Sequence, residues 1–180
     1  MTKVLVISED TLRTNSELSD NLYGKSLLPA IRTAQDLYLQ EYLGSCLYKK
    51  ILDLIGDGSI LANENVAYRD LLDDYITPYM IERVVADVVP IVANKITNLG
   101  VYKSNDEYAQ NTSAGEVDRL QNLHVIKANH YAKRMQLFLK GHREAFPELD
   151  CCGCGDVKPT LDTVAESGLF LGGRRAKRIR

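Results

Sequence analysis

The chain has 180 residues, of which 45% are apolar and 26% charged, and its formal net charge is −2. That length suffices for one domain with a core, and the balance is that of a globular protein rather than a disordered or fibrous one. No apolar run approaches the roughly 20 residues of a membrane-spanning helix, and Val4-Leu5-Val6-Ile7 is too short for the core of a signal peptide, so a cytoplasmic origin without a membrane partner is expected.

In chain order, residues 1–26 read as an N-terminal extended arm: a short apolar strand at 3–7, then a polar connection of the kind that a partner orders. The helical part spans residues 27–149. A first helix starts after Ser26, carries Leu28, Ile31, Ala34, Leu37 or Tyr38, and Tyr42 at helical spacing, and stops at Gly44. A second holds Leu47, Ile51, Leu54 and Ile55 and ends at Gly56-Asp57-Gly58. Asn63-Glu64-Asn65 opens a third through Tyr68, Leu71 and Leu72.

Thr77 before Pro78 has the pattern of a cap followed by a first-turn proline, and starts a fourth helix. Its wide apolar face is Ile81, Val84, Val85, Val88, Val89, Val92 and Ile96, and Pro90 should kink it or break it at about Val89. A small β-hairpin is expected near residues 99–110, with Val101, Tyr102 and Tyr108 on its strands and the turn at Ser104-Asn105-Asp106. A lone hairpin is marginal, so it should pack on a helix or pair with another chain, and these three residues are candidates for an inter-subunit contact.

Ser113-Ala114-Gly115-Glu116 is a capping box, and opens a long helix with the stripe Val117, Leu120, His124, Ala128, Tyr131, Met135 and Phe138. Gly141 and Pro147 close it. Residues 150–180 read as an extended C-terminal arm with a basic end. The predicted fold class is therefore mainly α: a bundle of four to five helices with a small β-hairpin and two extended arms.

The chain offers no grouping that points to catalysis, a cofactor or a metal. It has neither a Gly-rich phosphate loop nor a His-Glu-x-x-His motif. Cys46, Cys151, Cys152 and Cys154 suit free thiols. Cys-Cys-Gly-Cys lacks the second pair that zinc sites use, unless Cys46 completes it. His124 and His130 fall on different faces of one helix, His124 suits a packing role, and His142 suits an exposed helix end. Asp73 and Asp74 diverge as helix neighbours do, and suit acids placed before Pro78.

The last seven residues carry Arg174, Arg175, Lys177, Arg178 and Arg180, on a body that is otherwise acidic. Such an end docks an acidic protein surface, neutralises nucleic-acid phosphates, or stays solvated. It holds no aromatic residue for base stacking, and Ile179 adds an apolar anchor, which favours protein docking.

The arm Val6-Ile7-Ser8-Glu9-Asp10-Thr11-Leu12 is followed by Ala34-Gln35-Asp36-Leu37-Tyr38-Leu39, by Tyr42-Leu43-Gly44 with Leu47-Tyr48-Lys49-Lys50-Ile51, and by Ile96-Thr97-Asn98-Leu99-Gly100-Val101. Lys133-Arg134-Met135-Gln136-Leu137-Phe138-Leu139 and Phe146-Pro147-Glu148-Leu149 complete the series. In order and spacing this set, over residues 4–149, resembles the head–tail connector (adaptor) proteins of tailed bacteriophages, in particular those of gut-bacterium phages such as the crAss-like group. The likeness stops at Cys151.

The resemblance implies a non-catalytic virion protein, assembled in the host cytoplasm, that forms a dodecameric ring between portal and tail around the genome channel. Its partners would be the portal protein, the next ring or tail component, further copies of itself and, non-specifically, packaged DNA. The five basic residues at 174–180 would then meet the portal. The alternative is a small nucleic-acid-binding protein that uses the same basic end.

Overall fold

Apolar residues at helical spacing organise the chain in the computed structural model, which describes residues 3–18, 24–97, 100–103, 113–150 and 156–161. The described part is mainly helical, with α1 at Glu9–Thr14, α2 at Gly24–Ala34, α3 at Gln40–Gly56, α4 at Val66–Leu71, α5 at Thr77–Ala93 and α6 at Ala114–Gly141. Strands β1 (Asn94–Thr97) and β2 (Gly100–Lys103) lie between α5 and α6. No described helix is long and apolar enough to cross a membrane.

The centre of the core is the antiparallel pair α5 and α6. Met80, Ile81, Val84, Val85 and Val88 bury the expected face of α5. Ala128, Ala132, Met135 and Leu139 face them from α6, and the two alanines allow a close approach. The opening of α6 follows the capping box: Ser113 Oγ accepts from the Glu116 N–H, and the Glu116 carboxylate accepts from the Ser113 N–H at 2.8 Å. Leu120 departs from the predicted stripe and is 42% exposed, because the buried face tilts toward His124, Ala128 and Ala132 instead.

Two five-residue π-turns interrupt the helical runs without ending them, the first within the predicted first helix and the second between the predicted third and fourth. Gln35–Leu39 joins α2 to α3, and Leu72–Ile76 joins α4 to α5. Thr77 is therefore not a cap; it is helical, and its N–H reaches back five residues to the Leu72 carbonyl. Pro78 lacks an N–H and its ring would crowd the carbonyl of Asp74, so a widened turn just ahead of it keeps the helix running. The helix also passes through Pro90 and ends at Ala93 rather than breaking at Val89. The buried turns before the proline, down to Val88, outweigh one missing hydrogen bond.

The hairpin expected around a turn at 104–106 is not seen among the described residues. Val101 and Tyr102 instead pair upstream, opposite Ile96 and Lys95, in an antiparallel ladder. Ile96, assigned by its spacing to the helix face, lies on β1. The predicted partner segment around Tyr108 lies outside the described residues.

The N-terminal segment is a docked piece rather than an extended arm. Val6, Ile7 and Leu12 are buried in the core, and Ser8 caps α1 by accepting from the Thr11 N–H. The buried side chain of Gln35 holds the segment like a neighbouring strand: its amide donates to the Val4 carbonyl and its Oε1 accepts from the Val6 N–H, both at 3.1 Å. Lys3 pairs with Asp36, which also accepts from the Tyr48 hydroxyl at 2.7 Å.

Candidate functional site

Three places on the described surface gather side chains that a lone fold does not require. The first is where the end of α1 meets α5 and α6. His124 and Lys127, three residues apart on α6, converge on Glu82 of α5. Glu82 Oε2 is 2.7 Å from His124 Nδ1, and its Oε1 is 3.8 Å from Lys127 Nζ. An ionised carboxylate only accepts, so the ring faces Glu82 with a protonated, donating Nδ1. The His124 side chain is only 5% exposed. Beside it opens a cavity of about 300 Å³, walled by the Thr14–Glu17 turn and by Ile81 and Val85.

The second place is the crossing of residues 156–161 over α3. Gly44 breaks the helical path at φ 72, ψ 161, which turns the Ser45 N–H outward to donate to the Val157 carbonyl at 2.9 Å. The Thr160 N–H donates to the Glu41 carbonyl at 3.0 Å. Ser45 Oγ accepts from the Val157 N–H at 3.2 Å and donates to Asp156 at 2.8 Å. That hydrogen bond holds the Asp156 carboxyl below the usual carboxylate range. From α6, the Gln136 amide donates to the Thr160 carbonyl at 2.8 Å. Residues 156–161 are thus fastened to the body at α3 and α6.

The third is the outward side of α6. Leu123 and Ile126 are 48% and 67% exposed, and Ile91 and Val92 at the end of α5 are also exposed. Sequence periodicity does not separate these from core residues, because leucine, valine and isoleucine serve both.

Of the residues picked from sequence, Val101 and Tyr102 lie on β2, while Tyr108, Arg174, Arg175, Lys177, Arg178, Arg180, Cys151, Cys152 and Cys154 lie outside the described residues. Cys46 is half-buried with a free thiol. His124 is buried as a packing residue would be, but also bonds Glu82; His130 is exposed. His142 is exposed at the end of α6, with Nδ1 3.0 Å from the Phe138 carbonyl. Asp73 and Asp74 are exposed on the second π-turn. Among the described residues, no group of three or more His, Cys, Asp or Glu is placed to hold a metal ion.

Sequence reasoning missed Arg83. Its guanidinium lies 3.6 Å over the Tyr38 ring and donates to Asp87 at 3.0 Å. Burial raises the Asp87 carboxyl above its ordinary value while Arg83 pulls it back. The i,i+4 spacing of Arg83 and Asp87 was the available signal.

A family model described as a family of unknown function, DUF6712, matches residues 39–159, well over half of the chain and inclusive of Gly44, Glu82, His124 and Pro159. No curated protein and no solved structure matches the chain.

Proposed function

We propose that this chain, which belongs to the family of unknown function DUF6712, is a non-catalytic virion subunit: a head–tail connector that forms a ring, dodecameric in the proteins it resembles, between the portal and the tail of a bacteriophage. The observation that carries the reading is the ordered series of segments from Val6 to Leu149 that resembles such adaptors. Two structural features support it. The outward side of α6 and the end of α5 expose Leu123, Ile126, Ile91 and Val92, the kind of surface that an assembly contact buries. The fastening of residues 156–161 gives whatever follows a fixed origin on the body.

From Leu161 to the basic run at Arg174 the chain spans at most about 45 Å at full extension, enough to cross a neighbouring subunit. A helical body with such an arm suits repeated weak docking on the portal around a closed ring. The next tail component then sits on the far side of that ring.

The test is to add the purified full-length chain to portal rings and image the product by electron cryo-microscopy. Rings stacked on the portal, weakened when Arg174, Arg175, Lys177, Arg178 and Arg180 are changed to Gln, are expected. Absence of any portal-bound chain would sink the proposal. The basic run also motivates a second reading, a nucleic-acid-binding protein. DNA affinity that falls steeply with salt and vanishes with the same five changes, without portal binding, would favour it.

A further inference from the structure

We infer that the outward row of α6 docks on the acidic face of α4 in a second copy of this chain; the inference rests on the ring reading, in which copies must touch, and names the contact. The chain segregates its charge. Residues 119–143 carry six lysines and arginines, three histidines and no carboxylate. Residues 51–80 carry six carboxylates against one cation, Arg69. Two such surfaces on one chain attract each other between copies, and a contact between two different patches repeats from copy to copy, as a ring needs.

On α6, residues 119, 123, 126, 130, 133, 137 and 140 recur at alternating steps of four and three, and all seven are exposed. That is the spacing of a seam that receives another helix. Leu123, Ile126 and Leu137 are its large apolar members. Arg119 and Lys133 form no ion pair among the described residues. On the acidic side, Val66, Asp70 and Asp73 are exposed at the same steps of four and three, along α4 and the π-turn that continues it. Leu61 is exposed just ahead of them, and Asp70 and Asp73 likewise form no ion pair among the described residues.

Each face thus combines apolar side chains with charge of one sign, and docking one on the other buries the first while pairing the second. A second α6 on this row would set cations against cations. Nucleic-acid phosphates would take the cations and leave Leu123, Ile126 and Leu137 against a charged backbone, with no apolar surface to cover them.

Sedimentation velocity of the full-length chain, over a range of concentration and salt, reads the contact. Association that grows with concentration and weakens with salt is expected. Lys133→Glu and Asp73→Lys should each weaken it about tenfold or more by setting like charges together. An equimolar mixture of the two variants should recover it, because the two reversals face each other in mixed contacts. Ile126→Ser should weaken it about tenfold through lost burial. All three side chains are exposed, so the variants keep the fold, which circular dichroism checks. A chain with the five basic residues at 174–180 changed to Gln should associate as the parent does.

A parent chain that stays monomeric, single variants that associate as the parent does, a mixture that fails to recover, or association lost only with the five changes at the basic end would overturn the proposal. Duplex DNA binding that Lys133→Glu removes, with self-association unchanged, assigns the row to nucleic acid and overturns it too. Imaging on portal rings separates this contact from the reading it rests on. Rings that form with Lys133→Glu as readily as with the parent overturn the contact and keep the ring. Association in solution with the expected variant pattern, but no portal-bound chain, keeps the contact and sinks the ring.

Discussion

Pro159 rests on Gly44 so closely that a Cβ at position 44 would lie 2.7 Å from the proline Cδ and 2.8 Å from its nitrogen. Glycine is required there twice: φ 72 disfavours any side chain, and the strap leaves no room for one. Gly44→Ala is expected to cost about 2 kcal/mol or more, from backbone strain and the overlap together. Urea denaturation reads the loss, and limited proteolysis should show earlier cleavage after residue 155. A variant as stable as the parent, with its strap equally protected, would contradict this account.

Asp156 makes the strap sensitive to pH. Its carboxyl is held below the usual range by Ser45, so the folded state binds this proton less readily than the unfolded chain. The contribution is present above the unfolded carboxyl value and is lost as pH falls through the folded one. Hydrogen exchange at the Thr160 amide, corrected for its intrinsic rate, should lose protection as pH falls through and below the ordinary carboxylate range. Asp156→Asn should flatten that profile. An identical profile in the variant would assign the effect elsewhere.

Gln35 should be irreplaceable even by its closest analogues. Gln35→Leu leaves the Val6 N–H and Val4 carbonyl without their side-chain partner, at about 1–3 kcal/mol. Gln35→Glu still accepts from Val6 but, when ionised, cannot donate to Val4, and places a charge at a buried position. Both variants should speed exchange of the Val6 amide, and the Glu variant should recover partly as pH falls and its carboxyl protonates. Unchanged Val6 protection in both would show that the packing of Val6, Ile7 and Leu12 alone holds the segment.

The parts of this fold legible in sequence are those fixed by local chemistry. The capping box at Ser113 and Glu116, the break at Gly44 and the end at Gly58 each depend on neighbouring residues and appear as expected. What periodicity misjudged depends on distant partners. Thr77 and Pro78 carry a start signal, but a widened turn absorbs it into a longer helix. Ile96 continues a helical apolar pattern, yet pairs with Val101 as a strand. The N-terminal polar stretch hides a capped helix because its anchor is Gln35, 29 residues beyond Val6. The Glu82–His124 pair spans 42 residues, so no local motif marks the cavity beside it.

The turn after α6 makes the last prediction. Phe146 is fully buried and meets the Tyr68 ring edge-on at 5.4 Å, and the Tyr68 hydroxyl donates to the Glu148 carboxylate at 3.0 Å. Burial first, then Glu148, pushes the Tyr68 phenol up to about 12. A raised phenol stabilises the fold below the ordinary tyrosine value, and that contribution is lost as pH rises through about 12. Glu148→Gln removes the carboxylate's share but not the burial, so ultraviolet titration should place Tyr68 lower yet still above an ordinary tyrosine. Phe146→Ala opens a cavity and should cost about 3–5 kcal/mol, and Phe146→Leu appreciably less. If Phe146→Ala left stability unchanged while Glu148→Gln still moved Tyr68, the hydrogen bond and not the aromatic contact would be what ties α4 to the end of α6.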